Sequence, residues 1–280
     1  MLWFDKRFHS LNYFLRNKFG SKVAKVSLNA GLTCPNRDGT LSYGGCIFCS
    51  EDGSGVFTEN INLSITDQFM EYQKIVERKW PTSKYIAYFQ SYTNTYGNID
   101  YLKKIFFEAA KIKNVVAVSI ATRPDCLSKE VLELLSELRK VTYVFVELGF
   151  QTSNNETVKL INRCYENEVF EEAVFNLKKI DIDVVTHIIF GLPSETKSDM
   201  INSVKYVSRF PIDGLKFHLL HIVKNTKLNE IYQKNLYKPL TFDEYIDIVV
   251  SCIEIVPQNI VLHRLTGDSF EDSLVAPMYC

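Results

Sequence analysis

A regular alternation of short apolar runs with longer amphipathic stretches restricts the fold of this chain more than any other feature. Six runs rich in β-branched and aromatic residues occupy residues 22–29, 84–90, 114–122, 142–150, 183–190 and 213–220. Predicted helices separate these runs, and the capping box Thr241-Phe-Asp-Glu244 opens a further helix to about Ile255. Apolar strands that alternate with helices indicate a parallel sheet covered by helices.

The number of strands predicts an α/β fold, namely a partial (β/α)6 barrel of the TIM type. A complete barrel would need two more β/α units in ~250 residues. We expect one domain over residues 1–280, with a core at about 20–220, an N-terminal extension, and a C-terminal helix and tail over 221–280. The N-terminal residues and the tail after Ile255 should close the edges of the barrel. Chemistry in such folds lies on the loops at the carboxyl ends of the strands.

The composition excludes several classes of protein. Because 32 basic side chains face 33 acidic ones, for a net charge of −1, a basic nucleic-acid coat protein is excluded. The hydrophobic fraction of 46% excludes a disordered chain. No apolar run approaches the ~20 residues that span a bilayer, so no membrane association is expected. Since no secretory signal is evident, we expect reduced thiols and a cytoplasmic location.

Three of the seven cysteines lie together in a Gly-rich loop after the first strand, at Cys34, Cys46 and Cys49. The C-x-x-C spacing of the last two lets both thiolates bind one metal centre from a single turn, and Cys34 supplies a third ligand. A structural zinc site is one alternative, although such sites normally have four ligands. Three unrelated buried thiols are another, which fits poorly with a polar loop.

Three thiolates on a [4Fe–4S] cluster leave one iron without a protein ligand. That iron can chelate the amine and carboxylate of S-adenosylmethionine (SAM). Reduction of the cluster then breaks a carbon–sulfur bond of SAM and yields a 5′-deoxyadenosyl radical, so that the cofactor carries the difficult chemistry. We therefore favour a radical enzyme over a zinc site.

Motifs along nearly the whole chain support this interpretation. They are Phe19-Gly20, Cys34-Pro-Asn-Arg-Asp-Gly39, Gly44-Gly-Cys46, Tyr88-Phe-Gln-Ser-Tyr-Thr-Asn-Thr-Tyr96, Thr122-Arg-Pro-Asp-Cys126, Glu147-Leu-Gly-Phe-Gln-Thr152, Gly191-Leu-Pro193 and Arg264-Leu-Thr-Gly-Asp268. With them the chain resembles the radical SAM superfamily, and within it the YhcC/YtqA-type proteins, which have an elongator-like catalytic domain.

The resemblance implies where SAM binds in the first half of the chain. Phe48 occupies the position of an aromatic residue that usually lies against the adenine. The superfamily often carries Gly-Gly-Glu at the end of the second strand, where it holds the methionine amine. This chain has Gln90, Tyr92 and Thr93 in that segment instead, so we expect backbone or amide contacts to replace the carboxylate.

Further SAM contacts are implied at the later strands. Gln151 resembles a glutamine that faces the cofactor in related enzymes, and Arg163 could pair with the methionine carboxylate. Related enzymes commonly continue with Gly-His after this arginine, whereas this chain has Cys164-Tyr165. Ile189 and Gly191 match the strand whose backbone usually meets the adenine, although Gly191 could simply end that strand.

Charged residues near the strand ends remain to be placed. Glu147 lies inside an apolar strand, and burial without a partner would be costly, so it should either form an ion pair or face the barrel lumen. It is included among the expected cofactor-binding residues. Arg123, Lys216, His218 and Arg264 are candidates for binding an anionic substrate.

The resemblance points to a tRNA wobble uridine as substrate, whose carboxymethylaminomethyl side chain would be processed toward aminomethyl. Such a substrate requires basic residues, such as Arg123, Lys216, Lys224 and Arg264, to converge at the barrel mouth. An electron donor such as flavodoxin or ferredoxin is also expected. The alternatives are a radical enzyme acting on a small metabolite or protein side chain, and a zinc-stabilised nucleic-acid-binding module. The sequence predicts no oligomeric state.

Overall fold

A computed structural model describes residues 3–50, 61–267 and 272–279 of the chain. Its strands are β1 (Ala24–Leu28), β2 (Tyr85–Phe89), β3 (Val115–Thr122), β4 (Tyr143–Gln151), β5 (Asp183–Phe190), β6 (Gly214–Leu219), β7 (Ile222–Val223), β8 (Val261–Arg264) and β9 (Leu274–Ala276). Its helices are α1 (Leu11–Phe19), α2 (Ile65–Lys79), α3 (Ile99–Lys111), α4 (Lys129–Arg139), α5 (Asn155–Leu160), α6 (Asn167–Lys179), α7 (Lys197–Val207), α8 (Lys227–Gln233) and α9 (Phe242–Ile255). Asp268, at the end of the last motif quoted above, lies outside the described residues, as does Cys280.

The main sheet confirms the partial parallel barrel. Within the described residues it has seven parallel strands in the order β1-β2-β3-β4-β5-β6-β8. Each of the six expected strands is present. The seventh, β8, comes from the segment expected to be a tail, because four residues are too short to be recognised as a strand before its partner β6 is known.

The helices cover the outer face of the sheet because outward side chains of the strands are apolar. Val26, Val118, Val146 and Val184 are fully buried in the core between strands and helices. Ser128 caps α4, and the expected capping box opens α9. Helix α2 is capped by Ser64, whose hydroxyl accepts from the N–H of Asp67 at 3.1 Å.

The N-terminal segment closes the amino end of the barrel. Leu15 of α1 packs against the inward side chains Ile86, Ala117 and Phe145, which lie in the amino halves of their strands. The N–H of Leu262 in β8 donates to the carbonyl of His9 at 2.7 Å, so the same segment also covers the last strand. Of the helices that the structure describes, none has the length and apolar content to cross a bilayer.

Candidate functional site

A layer of polar side chains lies inside the barrel, on the carboxyl side of the apolar residues that close its amino end. Alternate residues of a strand point to opposite faces, so the inward positions follow a period of two. The charged layer, as we name it, consists of Lys25, Ser119, Glu147, His187 and Lys216. Five different strands supply these residues.

Glu147 is the centre of the charged layer and is fully buried. Its Oε1 accepts from Lys25 and, at 2.6 Å, from the hydroxyl of Ser119. Its Oε2 accepts from Lys216 Nζ at 2.5 Å and lies 2.8 Å from Nε2 of His187. Burial alone would raise the pKa of Glu147, but the ammonium groups of Lys216 and Lys25 hold it well below its usual range. The carboxylate is therefore an ionised structural anchor, which confirms that it is paired.

Burial acts in the opposite direction on the neighbouring bases. It lowers the pKa of Lys216, and it lowers the pKa of His187 to about 4. The pKa of His218 is also depressed, first by burial and then by the charge of Arg264. Both imidazoles are therefore neutral near pH 7.

A cavity of about 300 Å³ extends from the charged layer to the carboxyl ends of the strands. We call it the central cavity. Almost all of the expected cofactor-binding and cluster-binding residues line it, namely Cys34, Cys46, Phe48, Cys49, Gln90, Tyr92, Thr93, Glu147, Gln151, Arg163 and Ile189. The structure therefore brings together residues that are spread over more than 150 positions of the sequence.

Gly191 is the expected site residue that does not line the central cavity. Its N–H donates to Sδ of Met200 at 3.1 Å, and its carbonyl accepts from the hydroxyl of Tyr237 at 2.5 Å. Its φ of +88° favours glycine. These contacts give Gly191 the role of ending strand β5.

The cysteine loop, residues 34–50, is held by polar side chains that follow its first cysteine. The amide of Asn36 donates to the carbonyl of Asn162 at 2.5 Å, and its nitrogen lies 3.6 Å from Sγ of Cys46. The guanidinium of Arg37 donates to the carbonyl of Ser50 at 2.9 Å. Sequence reasoning did not assign these two residues a role, although both belong to the motif after Cys34.

An apolar anchor fixes the second half of the cysteine loop. Ile47 lies between the last two cysteines and is 4% exposed. Its N–H donates to the carbonyl of Ile161 at 3.2 Å, and its carbonyl accepts from the N–H of Leu228 at 2.8 Å. Phe48 and Ile189 pack against the same cluster. The turn that carries Cys46 and Cys49 is therefore attached to two separate segments of the second half of the chain.

The three thiols have the donor chemistry of a metal centre but not the arrangement for a single ion. Burial raises the pKa of Cys46 to about 12 and also raises the pKa of Cys49, so both thiols are protonated without a metal. Across residues 3–50, 61–267 and 272–279, no group of three His, Cys, Asp or Glu side chains is arranged to hold one metal ion. Thiolates are the usual ligands of iron–sulfur clusters, and all three cysteines line the central cavity, so this donor set fits a [4Fe–4S] cluster.

Arg163 is held by hydrogen bonds to the protein itself. Its guanidinium is 1% exposed and donates to the carbonyls of Phe150, Thr152 and Tyr165 and to Oδ1 of Asn167, at 2.7–3.1 Å. These bonds occupy all five N–H groups of the side chain. In this arrangement no donor of Arg163 is left for a carboxylate of SAM, so the expected pairing stays a prediction that requires some of these bonds to be exchanged.

Gln151 differs from Arg163 in having a buried polar atom without a hydrogen-bond partner among the described residues. This atom, Oε1, is buried in the wall of the central cavity. Its backbone is left-handed, with φ of +68°, at the irregular end of β4. Because buried polar atoms are nearly always paired, this oxygen is suited to accept from a bound ligand.

The other described cysteines lie away from the central cavity. Cys126 lines a separate groove of about 800 Å³, Cys164 is exposed, and Cys252 is buried on α9. None of the three lines the central cavity, although the groove of Cys126 is also lined by Pro35, Thr40 and Leu41 of the cysteine loop. This separation agrees with the grouping read from the sequence.

The candidates for an anionic substrate are partly brought together. Arg123, Lys216, His218 and Arg264 all line the central cavity. Lys224 does not, since its ammonium donates to the carbonyl of Asp272 at an exposed position. The convergence therefore lies inside the barrel, and the expected basic surface at the mouth is not formed by these residues together.

A partial parallel barrel with three cysteines in one loop at its carboxyl edge defines the class of protein: a radical SAM enzyme. The sequence pattern of the radical SAM superfamily matches residues 33–207, and that of the radical SAM C-terminal domain matches residues 212–280. The chain therefore belongs to the radical SAM superfamily, and its enzymes use a [4Fe–4S] cluster and SAM.

Similar proteins place the chain within the superfamily. It is 43% identical to the uncharacterised protein YtqA of Bacillus subtilis over 275 residues, 98% of this chain and 85% of the relative. It is 32% identical to protein YhcC of Escherichia coli K12 over 267 residues, 95% of this chain and 85% of the relative. These matches confirm that the chain belongs to the YhcC/YtqA type.

More distant proteins share parts of the chain or the fold. The tRNA uridine(34) acetyltransferase of Methanocaldococcus infernus is 29% identical over 170 residues, 58% of this chain but 31% of the relative. The solved structure of archaeal Methanocaldococcus infernus Elp3 has a TM-score of 0.70 at 23% identity, covering 90% of this chain and 58% of that one. The chain is thus a radical SAM enzyme related to these proteins, with the same fold as Elp3.

Proposed function

We propose that the central cavity holds a [4Fe–4S] cluster on Cys34, Cys46 and Cys49 with SAM beside it, and that the enzyme modifies a tRNA wobble uridine. The observation that carries the proposal is that the cysteine loop opens into the same cavity as the unpaired Oε1 of Gln151. The chemistry that the cluster and SAM supply when bound is hydrogen abstraction by a 5′-deoxyadenosyl radical.

The residues of the upper cavity have the chemistry that SAM requires. Phe48 and Ile189 supply an apolar wall for the adenine, and both are braced by the cluster around Ile47. Gln90 and Thr93 lie opposite, at the end of β2, and Oε1 of Gln90 accepts from Ser27 at 3.2 Å. These side chains orient SAM and exclude water from the sulfonium. Gln151 then accepts a hydrogen bond from SAM.

The substrate we propose is the carboxymethylaminomethyl side chain of a wobble uridine, which the enzyme processes toward aminomethyl. The proposal is supported by similarity to a tRNA uridine(34) acetyltransferase, although the chain spans about a third of that relative. Cationic side chains inside the cavity also suit a substrate that carries a carboxylate. We further infer an electron donor such as flavodoxin or ferredoxin and a reducing, cytoplasmic compartment, since the thiols must be reduced to bind iron.

The test incubates anaerobically reconstituted enzyme with SAM, a reductant and tRNA that carries the carboxymethylaminomethyl group. Digested tRNA should contain the aminomethyl nucleoside, and 5′-deoxyadenosine should form. If SAM is cleaved while the nucleoside is unchanged, the tRNA assignment is wrong and a small metabolite or protein side chain takes its place. If the protein binds zinc but no iron or sulfide, the radical mechanism itself is wrong.

A further inference from the structure

The central cavity holds more positive charge than its carboxylate can neutralise. Among its described lining residues, the charged side chains are Arg123, Arg163, Lys216, Arg264 and the single carboxylate Glu147. Lys25, in the same charged layer, adds a further ammonium at Glu147. Isolated cations in a cavity are costly unless they are paired, so each of these groups needs a partner.

Two of the arginines are already partnered within the protein. Arg123 makes a bidentate pair with Asp125, at 2.9 and 2.7 Å. Arg163 uses all of its donors on protein oxygens, as described above. Neither guanidinium is therefore available to bind an additional anion.

Lys216 and Arg264 are less well neutralised. Lys216 shares the one carboxylate of Glu147 with Lys25, and it also donates to the hydroxyl of Tyr88 at 3.0 Å. Arg264 forms no ion pair with the described residues, and its Nε is buried without a partner. Its Nη2 lies 2.5 Å from the neutral ring of His218. Asp268, the next acidic residue in the sequence, is not among the described residues.

The two cations lie side by side at one wall of the cavity. Lys216 and Arg264 are register partners on the neighbouring strands β6 and β8. Strands hold their side chains more rigidly than loops do, so the separation of the two charges is set by the sheet. A guanidinium binds a planar carboxylate through two parallel donors, and an ammonium adds a compact charge beside it.

We propose that Lys216 and Arg264, with His218 beside them, form a subsite for a carboxylate of the substrate. The inference rests on the proposed function, in which this carboxylate belongs to the carboxymethylaminomethyl group of the wobble uridine. The subsite holds that group in the same cavity as the cysteine loop. It also repels the aminomethyl product, which carries a positive charge and no carboxylate, and so favours product release.

The test compares two anticodon stem-loop RNAs that differ only at the wobble uridine, one with carboxymethylaminomethyl and one with aminomethyl. Affinities of the reconstituted enzyme are measured by fluorescence anisotropy in the presence of SAM. Phosphate contacts are common to both RNAs, so the ratio of the two dissociation constants isolates the carboxylate. We expect the wild type to prefer the carboxylate RNA by about 10-fold or more, as for other charged hydrogen bonds.

Arg264→Gln should reduce this ratio to near 1, and Arg264→Lys should retain part of it. Lys216→Met should act in the same direction. Lys129→Gln, which removes an exposed cation of α4, should leave the ratio unchanged. Iron content and far-ultraviolet circular dichroism establish that each variant is folded and loaded with its cluster. If the Lys216 variant does not fold, the two Arg264 variants alone test the subsite.

The other outcomes distinguish failure of the subsite from failure of the proposed function. If the wild type prefers the carboxylate RNA and the Arg264 variants keep the preference, the carboxylate binds elsewhere and the proposed function stands. If the variants weaken SAM binding to the same extent as RNA binding, the anion is the carboxylate of SAM. If the wild type binds neither RNA, the proposed function fails. In that case crystals of the enzyme soaked in sodium bromide decide: an anomalous peak between Lys216 and Arg264 supports an anion subsite, and its absence refutes one.

Discussion

The cysteine loop and the charged layer line the same cavity but are held by different forces. Hydrogen bonds to main-chain atoms, made by Asn36 and Arg37, and the apolar anchor Ile47 hold the loop. Coulombic attraction between Glu147 and its lysines, inside rigid strands, holds the layer. The thiols therefore do not carry the stability of the loop, whereas the carboxylate carries that of the layer. Substitutions in the cysteine loop should therefore remove function without unfolding the protein, whereas substitution of Glu147 in the charged layer should also destabilise the fold.

The largest expected effect is at the loop. Replacing Cys34, Cys46 or Cys49 with Ala should abolish SAM cleavage, because each thiolate is needed to hold the cluster. The free energy of unfolding of the cluster-free protein should stay close to that of the wild type. Iron and sulfide analysis, a 5′-deoxyadenosine assay and urea unfolding measure these properties. Full cleavage by Cys34→Ala would contradict the three-ligand assignment, and Cys164→Ala serves as the exposed control.

The second effect is at the layer. Glu147→Leu should lower the free energy of unfolding by ~3–5 kcal/mol, because it leaves two ammonium groups at a buried position without their carboxylate. The matched control is Glu137→Gln, which breaks an ion pair with Lys103 at about half exposure and should cost at most ~1 kcal/mol. Urea unfolding of the cluster-free proteins provides both values. Equal losses for the two variants would show that the buried carboxylate of Glu147 stabilises the charged layer no more than an exposed ion pair does.

Arg163 refines the comparison between the cysteine loop and the charged layer. It lines the cavity, but its hydrogen bonds to main-chain carbonyls make it a structural residue. Arg163→Lys should lower the free energy of unfolding by ~3 kcal/mol, since a lysine cannot satisfy the carbonyls of Phe150, Thr152 and Tyr165 together. Affinity for SAM, measured by equilibrium dialysis and expressed per loaded cluster, should be unchanged. A selective loss of SAM affinity at unchanged stability would return Arg163 to the role first expected for it.

The smallest effect concerns pH. The folded state keeps His187 neutral down to a pKa of about 4, whereas the unfolded chain protonates it near 6.5. The unfolded state thus binds more protons between these values, and stability falls as the pH falls through that range. The contribution of His187 should decrease by ~2 kcal/mol between pH 7.5 and pH 5. The difference in unfolding free energy between wild type and His187→Gln should shrink accordingly, and a difference independent of pH would exclude this origin.

Many residues of the candidate site could be predicted from the sequence alone. The cysteine triplet and the motifs around Phe48, Gln90 and Gln151 pointed to residues that do line one cavity. The inward positions could also have been found, since Lys25, Tyr88 and Ser119 are polar residues that alternate with apolar ones in their strands. That signal was overlooked because the strands as a whole are apolar. The internal acceptors of Arg163 could not be read from the sequence, because residues 150–152 become its acceptors only after the loop folds back.

By itself the sequence determined the alternation of strands and helices, the helix caps and the spacing of the cysteines, because each of these depends on residues a few positions apart. Only the tertiary structure decided that β8 joins the sheet, that polar side chains of four other strands surround Glu147, and that Arg163 is satisfied internally. These features depend on strand register and on contacts across more than one hundred residues in the case of Lys25 and Glu147. Local propensities do not specify such contacts; packing of the whole sheet does.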